Sequence, residues 1–233
     1  MLEIRREEVL PPQIYEKERD RIVKEIIEIK KRRRVSTRTF SFLFECKDTV
    51  LNQINEMVFI ENVHDEEEIR RLIRVYSDLL PGRNELSVSM FIEFDTQDKL
   101  IREMPRLAGI EKHVYMTFGN SEIHAIPEEG GRSTDTLEST LQYLRFRFTD
   151  KQLSEFMEAR NVYIETRHPG GTRRAPGYRR TSWRPSRVSS YRAVEGGARS
   201  TNLYRFLTWL MHAFRPQGDG GAGPQGSQGI RPE

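Results

Sequence analysis

Glu45, Asp48, Gln53 and Glu56 form the densest group of residues able to do chemistry in this sequence. Glu45 and Asp48 straddle the point where a strand-like pattern gives way to a helical one. Gln53 and Glu56 are three residues apart and share a face of that helix. Arg32, Arg33 and Arg34 stand just before the strand. Carboxylates facing a guanidinium cluster can hold an anionic ligand or a metal, or place a general base. The same residues can also make a helix cap and an ion-pair network tying the first helix to the second, which perturbs titration without catalysis. Both readings stay open on the sequence.

Other chemistry is sparser. Glu61-x-x-His64 has the carboxylate–imidazole spacing of carboxylate-bridged di-iron sites. Such sites need two of these motifs and two further carboxylates; one motif occurs here, and His64 falls past the expected helix end. His113 and His124 lie on adjacent expected strands and make a conceivable metal pair. The lone cysteine, Cys46, neighbours Lys47, so it reads either as a reactive thiolate or as a small buried hydrophobe. No glycine-rich dinucleotide or phosphate loop, no Gly-x-Ser-x-Gly elbow and no Cys-x-x-Cys occurs. That argues against a dinucleotide enzyme, an NTPase, a serine hydrolase and an iron–sulfur carrier. The sequence requires no cofactor.

Periodicity supplies the elements that must position these residues. Residues 12–33 read as an amphipathic helix opened by Pro11-Pro12, with Ile22, Ile26 and Ile29 on one face and the cationic run Lys30–Arg34 at its carbonyl end. Phe40, Phe42 and Phe44 alternate with polar or smaller residues, a strand with one buried face. Asp48 is placed to cap a helix over 49–61, with Val50, Ile54, Met57 and Val58 inward, and Asp65 to cap a third helix that Pro81-Gly82 stops. Strands follow at 85–94, 112–118, 121–126, 140–148 and 161–166, with helical stretches at 96–107, weakened by Pro105, and at 150–159. Gly119-Asn120 is the turn of one hairpin. The order predicts an α+β fold: a mostly antiparallel sheet of five or six strands with four or five helices packed on it.

Charge divides the chain. Residues 1–167 hold 27 Lys+Arg against 32 Asp+Glu, while residues 168–233 hold 11 Arg, no Lys and three acids. The basic character therefore belongs to the tail, not to the folded part. The sequence predicts one domain over 1–167 and a disordered tail rich in Arg, Gly, Pro and Ser over 168–233, with one apolar island at 203–214 long enough for a short helix. Arginines interleaved with Tyr178, Trp183 and Tyr191 suit nucleic-acid binding. The absence of lysine also fits out-of-frame translation of a GC-rich gene, which translating the other two frames beyond codon 167 would test. A single cysteine, a mixed-charge N-terminus and no long apolar run lead to the expectation of a cytoplasmic protein without a membrane span.

Four segments carry a likeness to a known family: LPPQIYEKERDRIVKEIIEIKKRRRV (10–35), FLFECKDTVLNQINEMVFIENV (42–63), VYSDLLPGRNELSVSMFIEF (75–94) and QYLRFRFTDKQ (142–152). Over about residues 1–167 the chain resembles the bacterial family of unknown function numbered 3501. Two departures stand out: Cys46-Lys47 where the family usually has Asn-Arg, and Arg167-His168-Pro169-Gly170 where it usually continues into helix. The resemblance implies a role near rubrerythrin-like or iron–sulfur oxidoreductase systems, by gene neighbourhood rather than by mechanism. Two classes of function follow: a non-catalytic accessory protein for such redox partners, or an enzyme, metal-dependent in one version, built on the Glu45/Asp48/Gln53/Glu56 cluster. A third is nucleic-acid binding through the tail.

Overall fold

The computed structural model describes residues 2–37, 39–128, 140–168 and the strand 181–183. The described residues belong to one compact unit, Met1–Ala193. A single helix, α1 (Pro12–Arg33), opens the fold after a short 3-10 turn at Arg6–Glu8. Proline in the first turn costs nothing, because that N–H has no partner within a helix anyway. The chain then enters β1 (Arg34–Ser36) and turns tightly into β2 (Phe40–Phe44), the Thr37 hydroxyl accepting from the Phe40 N–H at 2.9 Å. Two helices come next, α2 (Lys47–Ile60) and α3 (Glu66–Ser77), the second capped by Asp65 as expected, its carboxylate accepting from the Glu68 N–H at 2.8 Å.

The remaining elements are β3 (Glu85–Ile92), α4 (Gln97–Glu103), β4 (Val114–Phe118), β5 (Ser121–His124), β6 (Ile126–Pro127), β7 (Leu141–Arg147), α5 (Asp150–Glu158), β8 (Val162–Thr166) and β9 (Thr181–Trp183). Pro105 lies where α4 tightens into a 3-10 turn over Met104–Leu107. The α+β class with antiparallel pairing and five α-helices is as the periodicity predicts. The strands divide, however, between two sheets: β1-β2-β3-β7-β6 and β5-β4-β8-β9. The stretch expected as one strand at 121–126 breaks at Ala125, and β6 crosses to the other sheet.

The two faces of the first sheet differ in chemistry. Phe40, Phe42, Phe44, Val88, Met90, Leu144 and Phe146 point toward the second sheet and meet Val114, Met116, Phe118, Val162 and Ile164 in one dry core. Burying each such side chain contributes about 1.5–3 kcal/mol. The opposite face carries Ser41, Leu43, Ser87 and Ser89, all buried, on the side of α1 and of α2, which packs against α1. All five residues of β2 are therefore buried, where the alternation predicted one buried face. Cover on both faces is the physical reason.

Helix α2 delivers its expected stripe, Val50, Ile54, Met57 and Val58, all buried. In α1, Ile26 and Tyr15 are buried, while Ile22 and Ile29 are only half-buried. Among the described residues no helix is long and apolar enough to cross a membrane. Strand β9 pairs antiparallel with β8, beyond the domain end expected at 167. The rest of the expected tail, including the island at 203–214, lies outside the described residues.

Candidate functional site

Between α1, α2 and the serine face of β2 and β3 lies a layer of polar groups closed off from solvent. Two carboxylates anchor it: Glu45 is 2% exposed and Glu56 1% exposed. Glu45 follows β2 directly, its N–H donating to the Ser87 carbonyl at 2.9 Å, so the strand ladder fixes its backbone. Its two oxygens accept from different hydroxyls, Oε1 from Ser89 and Oε2 from Thr49, each at 2.5 Å. Thr49 in turn accepts from the Cys46 N–H at 2.9 Å. Thr49 thus ties the carboxylate to the first turn of α2, whose N-terminal N–H groups lack partners within the helix.

Glu56 is held from α1. Arg19 donates to it in a fork, Nε to Oε1 at 3.0 Å and a terminal nitrogen to Oε2 at 2.9 Å. The Tyr15 hydroxyl, fully buried, donates to Oε1 at 2.8 Å and lies 3.1 Å from Asn52 Oδ1. One hydroxyl proton serves one acceptor; turning the Asn52 amide about places its N–H on the tyrosine oxygen and satisfies all three groups. The Tyr15 phenol is held well above its ordinary pKa, first by burial and then by its hydrogen bond to Glu56 and that carboxylate's charge. Tyr15 and Arg19 are four apart on α1, and Asn52 and Glu56 four apart on α2, so each pair shares a helix face.

The residues singled out by spacing fare unevenly. Glu45, Gln53 and Glu56 are buried in this layer. Asp48 is not: it is exposed in the first turn of α2, and Cys46 rather than Asp48 holds the cap position. The helix starts two residues earlier than expected because Thr49 satisfies the Cys46 N–H. The arginine run does not face the carboxylates. Arg32 is exposed and donates to the Glu28 carbonyl at 3.2 Å. Arg33 donates to the Phe44 and Glu45 carbonyls at 2.7 and 3.1 Å. Arg34 pairs with Glu93 at 3.6 Å and lies over the Phe91 ring. A guanidinium at the end of a helix reaches the nearest strand carbonyls before it reaches a side chain in the next layer. The arginine that does hold a carboxylate, Arg19, lies four turns earlier. Tyr15, Arg19, Asn52, Thr49 and Ser89 all escaped the sequence reading; the paired four-residue spacings were the available signal.

Lys30 also turns inward from the cationic run. It is half-buried and makes no ion pair or hydrogen bond among the described residues. Burial lowers its pKa; Arg34 acts in the same sense, and Glu45, Glu56 and Cys46 oppose it. Cys46 is a half-buried free thiol.

The metal candidates lie elsewhere. Glu61 ends α2 and is exposed; His64 is exposed with Nε2 at 3.0 Å from Asn62 Oδ1. His124 stacks on Tyr115 and sits with Nε2 at 2.6 Å from the Lys112 carbonyl. His113 meets His168 edge-on with ring centroids 5.1 Å apart. Its pKa is lowered, first by desolvation and then by His168, His124 and Lys112. Among the described residues no group of three or more His, Cys, Asp or Glu is placed to hold a metal ion.

Comparison with known proteins places this architecture. A solved structure described as a novel protein of unknown function from Burkholderia pseudomallei K96243 has a TM-score of 0.69 and 28% sequence identity, over 79% of this chain and 94% of that one. No curated protein matches. The model of the family described as "Protein of unknown function (DUF3501)" matches residues 3–179, twelve residues past the limit at which the sequence likeness was drawn. With its fold, its polar layer and this match over most of its length, the chain belongs to the DUF3501 family.

Proposed function

We propose that this protein is a non-catalytic accessory protein that binds a partner rather than converting a substrate. The observation that carries this reading is that both carboxylates are closed off from solvent and held by internal donors, Glu45 by Thr49 and Ser89, Glu56 by Arg19 and Tyr15. A general base needs a lone pair within reach of a substrate proton, and a metal ligand needs an oxygen free to coordinate. Groups bonded this way instead lock α1 and α2 to the sheet. The partners favoured by the family resemblance are rubrerythrin-like or iron–sulfur oxidoreductase proteins in a reducing cytoplasm, which suits a free Cys46.

The test is affinity purification of the tagged full chain from its native host, with bound proteins identified by mass spectrometry and their iron measured. Recovery of an iron protein of that class in near-stoichiometric amount, surviving moderate salt, supports the reading. Recovery of none overturns the redox assignment. A second reading, an enzyme working in the same layer, is favoured by one observation: Lys30 is an inward amine without a partner among the described residues and with a lowered pKa. It requires turnover that disappears in Lys30→Met while the fold stays intact. Nucleic-acid binding through the arginine-rich tail is a separate proposal. It predicts affinity for single-stranded nucleic acid that falls steeply with salt.

A further inference from the structure

Lys30 and Arg33 sit three residues apart on α1, so they share a face one turn before the helix ends. Both are half-buried. Arg33 uses Nε and one terminal nitrogen on the Phe44 and Glu45 carbonyls, which leaves N–H groups of its fork uncommitted. Lys30 uses none of its three donors among the described residues. Neither residue makes an ion pair among the described residues, although two buried carboxylates are close by. The reason is geometric. Glu45 is already held by two hydroxyls, and Glu56 by an arginine fork and a phenol.

The charge balance of the layer follows. Arg19, Lys30 and Arg33 stand against Glu45 and Glu56, an excess of one positive charge in a region partly shielded from water. Arg34, at the margin, is matched by Glu93. A cation partly shielded from water is favoured further by an anion that neutralises it. The first turn of the 14-residue helix α2 begins two residues after Glu45 and adds its unpaired N–H groups to the same end of the layer. One turn further along α2, Gln53 makes no side-chain hydrogen bond among the described residues, and its amide reaches solvent. Of the acids at this end, Asp48 is exposed and Glu8 is taken up by Lys47 at 2.6 Å.

We propose that the Lys30–Arg33 end of this layer is a binding site for a small oxyanion, a carboxylate or a phosphate, received by the Lys30 ammonium and the free N–H groups of the Arg33 fork. Gln53 offers a further amide donor. The site goes beyond the partner reading above and stands independently of it: a small ligand held here would act on the fold, or on docking, without being transformed.

The experiment measures thermal unfolding of the full chain while sodium acetate or inorganic phosphate is raised and sodium chloride is lowered to hold ionic strength constant. The expected result is a saturable rise in Tm with at least one of the two anions, absent in Lys30→Met. Which anion acts tells a carboxylate site from a phosphate site. An equal rise in wild type and variant, or no rise with either anion, overturns the proposal. Should Lys30→Met fail to fold, lysine-selective 13C labelling of the wild-type chain replaces it. The chain has eight lysines, and Lys30→Arg, which keeps the charge, assigns the Lys30 ε-methylene signal. That signal alone should move saturably with acetate or phosphate. If it stays fixed, or if all eight move together, the site does not exist.

Discussion

Replacing Glu56 by glutamine separates a structural layer from a catalytic one. The change removes one negative charge and keeps the shape. In the native protein this carboxylate, 1% exposed, accepts two bonds from Arg19 and one from Tyr15. Glutamine offers one oxygen to three donors and turns an NH2 group toward the guanidinium. Removing one partner of a buried pair costs about 3–5 kcal/mol. The Arg19 side chain is 18% exposed and keeps some water, which places the expected loss near the lower end, about 3 kcal/mol. For a domain of this size that lowers Tm by about 6–12 °C. Urea unfolding followed by circular dichroism measures it, with an unchanged m-value showing that the denatured state is not the cause. A loss below about 1 kcal/mol, the range of an exposed pair, would refute the saturation argument and return Glu56 to the list of groups held ready for a ligand. The double variant with Arg19→Met should recover part of the loss, because the stranded cation is gone.

Other perturbations probe other links. Ser89→Ala strips Glu45 of one of its two hydroxyl donors and should cost about 1–2 kcal/mol in urea unfolding; no change would mean that water or Thr49 takes over the bond. Gly119 has φ +51° in the β4–β5 turn, and a Cβ there would collide with the Glu155 carboxylate. Gly119→Ala must therefore push away the carboxylate that accepts from Asn120 N–H and the Ser121 hydroxyl. A loss of about 1–2 kcal/mol is expected, and a gain in stability would contradict the turn geometry. Glu85 titrates below its ordinary value: burial pushes it up, but Arg147, the Gly82 N–H and Arg145 outweigh that. Its folded pKa being depressed, the stability it contributes is complete above the unfolded carboxylate value and is lost as pH falls through the folded one. Glu85→Gln should flatten that acid limb of the stability–pH curve, and an unchanged limb would remove Glu85 from the account.

Much of the fold was legible because period and punctuation agreed. Pro11-Pro12 and the cationic run bracket α1, Pro105 marks where α4 tightens, Asp65 caps α3, and the alternation in β3 gives both its faces. The division into two sheets was not legible. It depends on a break at Ala125, where six residues with one apolar pattern feed strands of different sheets. Within the site, Glu45 and Glu56 stood out as acids near apolar stripes, but their partners did not. Ser89 lies 44 residues from Glu45, and Arg19 lies 37 from Glu56. Contacts of that span are made by the packing of helices on a sheet, which local spacing does not encode. Arg32 and Arg34 misled for the complementary reason: adjacent in sequence, they leave the helix end in different directions, one to the Glu28 carbonyl and one to Glu93.

The unlike faces of β2 and β3 have a consequence for how these strands find each other. No tight turn joins them; α2 and α3 intervene, so nothing in the connection sets which residue lies opposite which. Sliding β2 by one position would drive Ser41 and Glu45 into the aromatic side and leave the phenylalanines against hydroxyls and amides. Every one-step mistake is therefore penalised twice, once for stranding a polar atom and once for wetting a ring. The alignment Phe42↔Met90 is thereby specified by the layers above and below the strands.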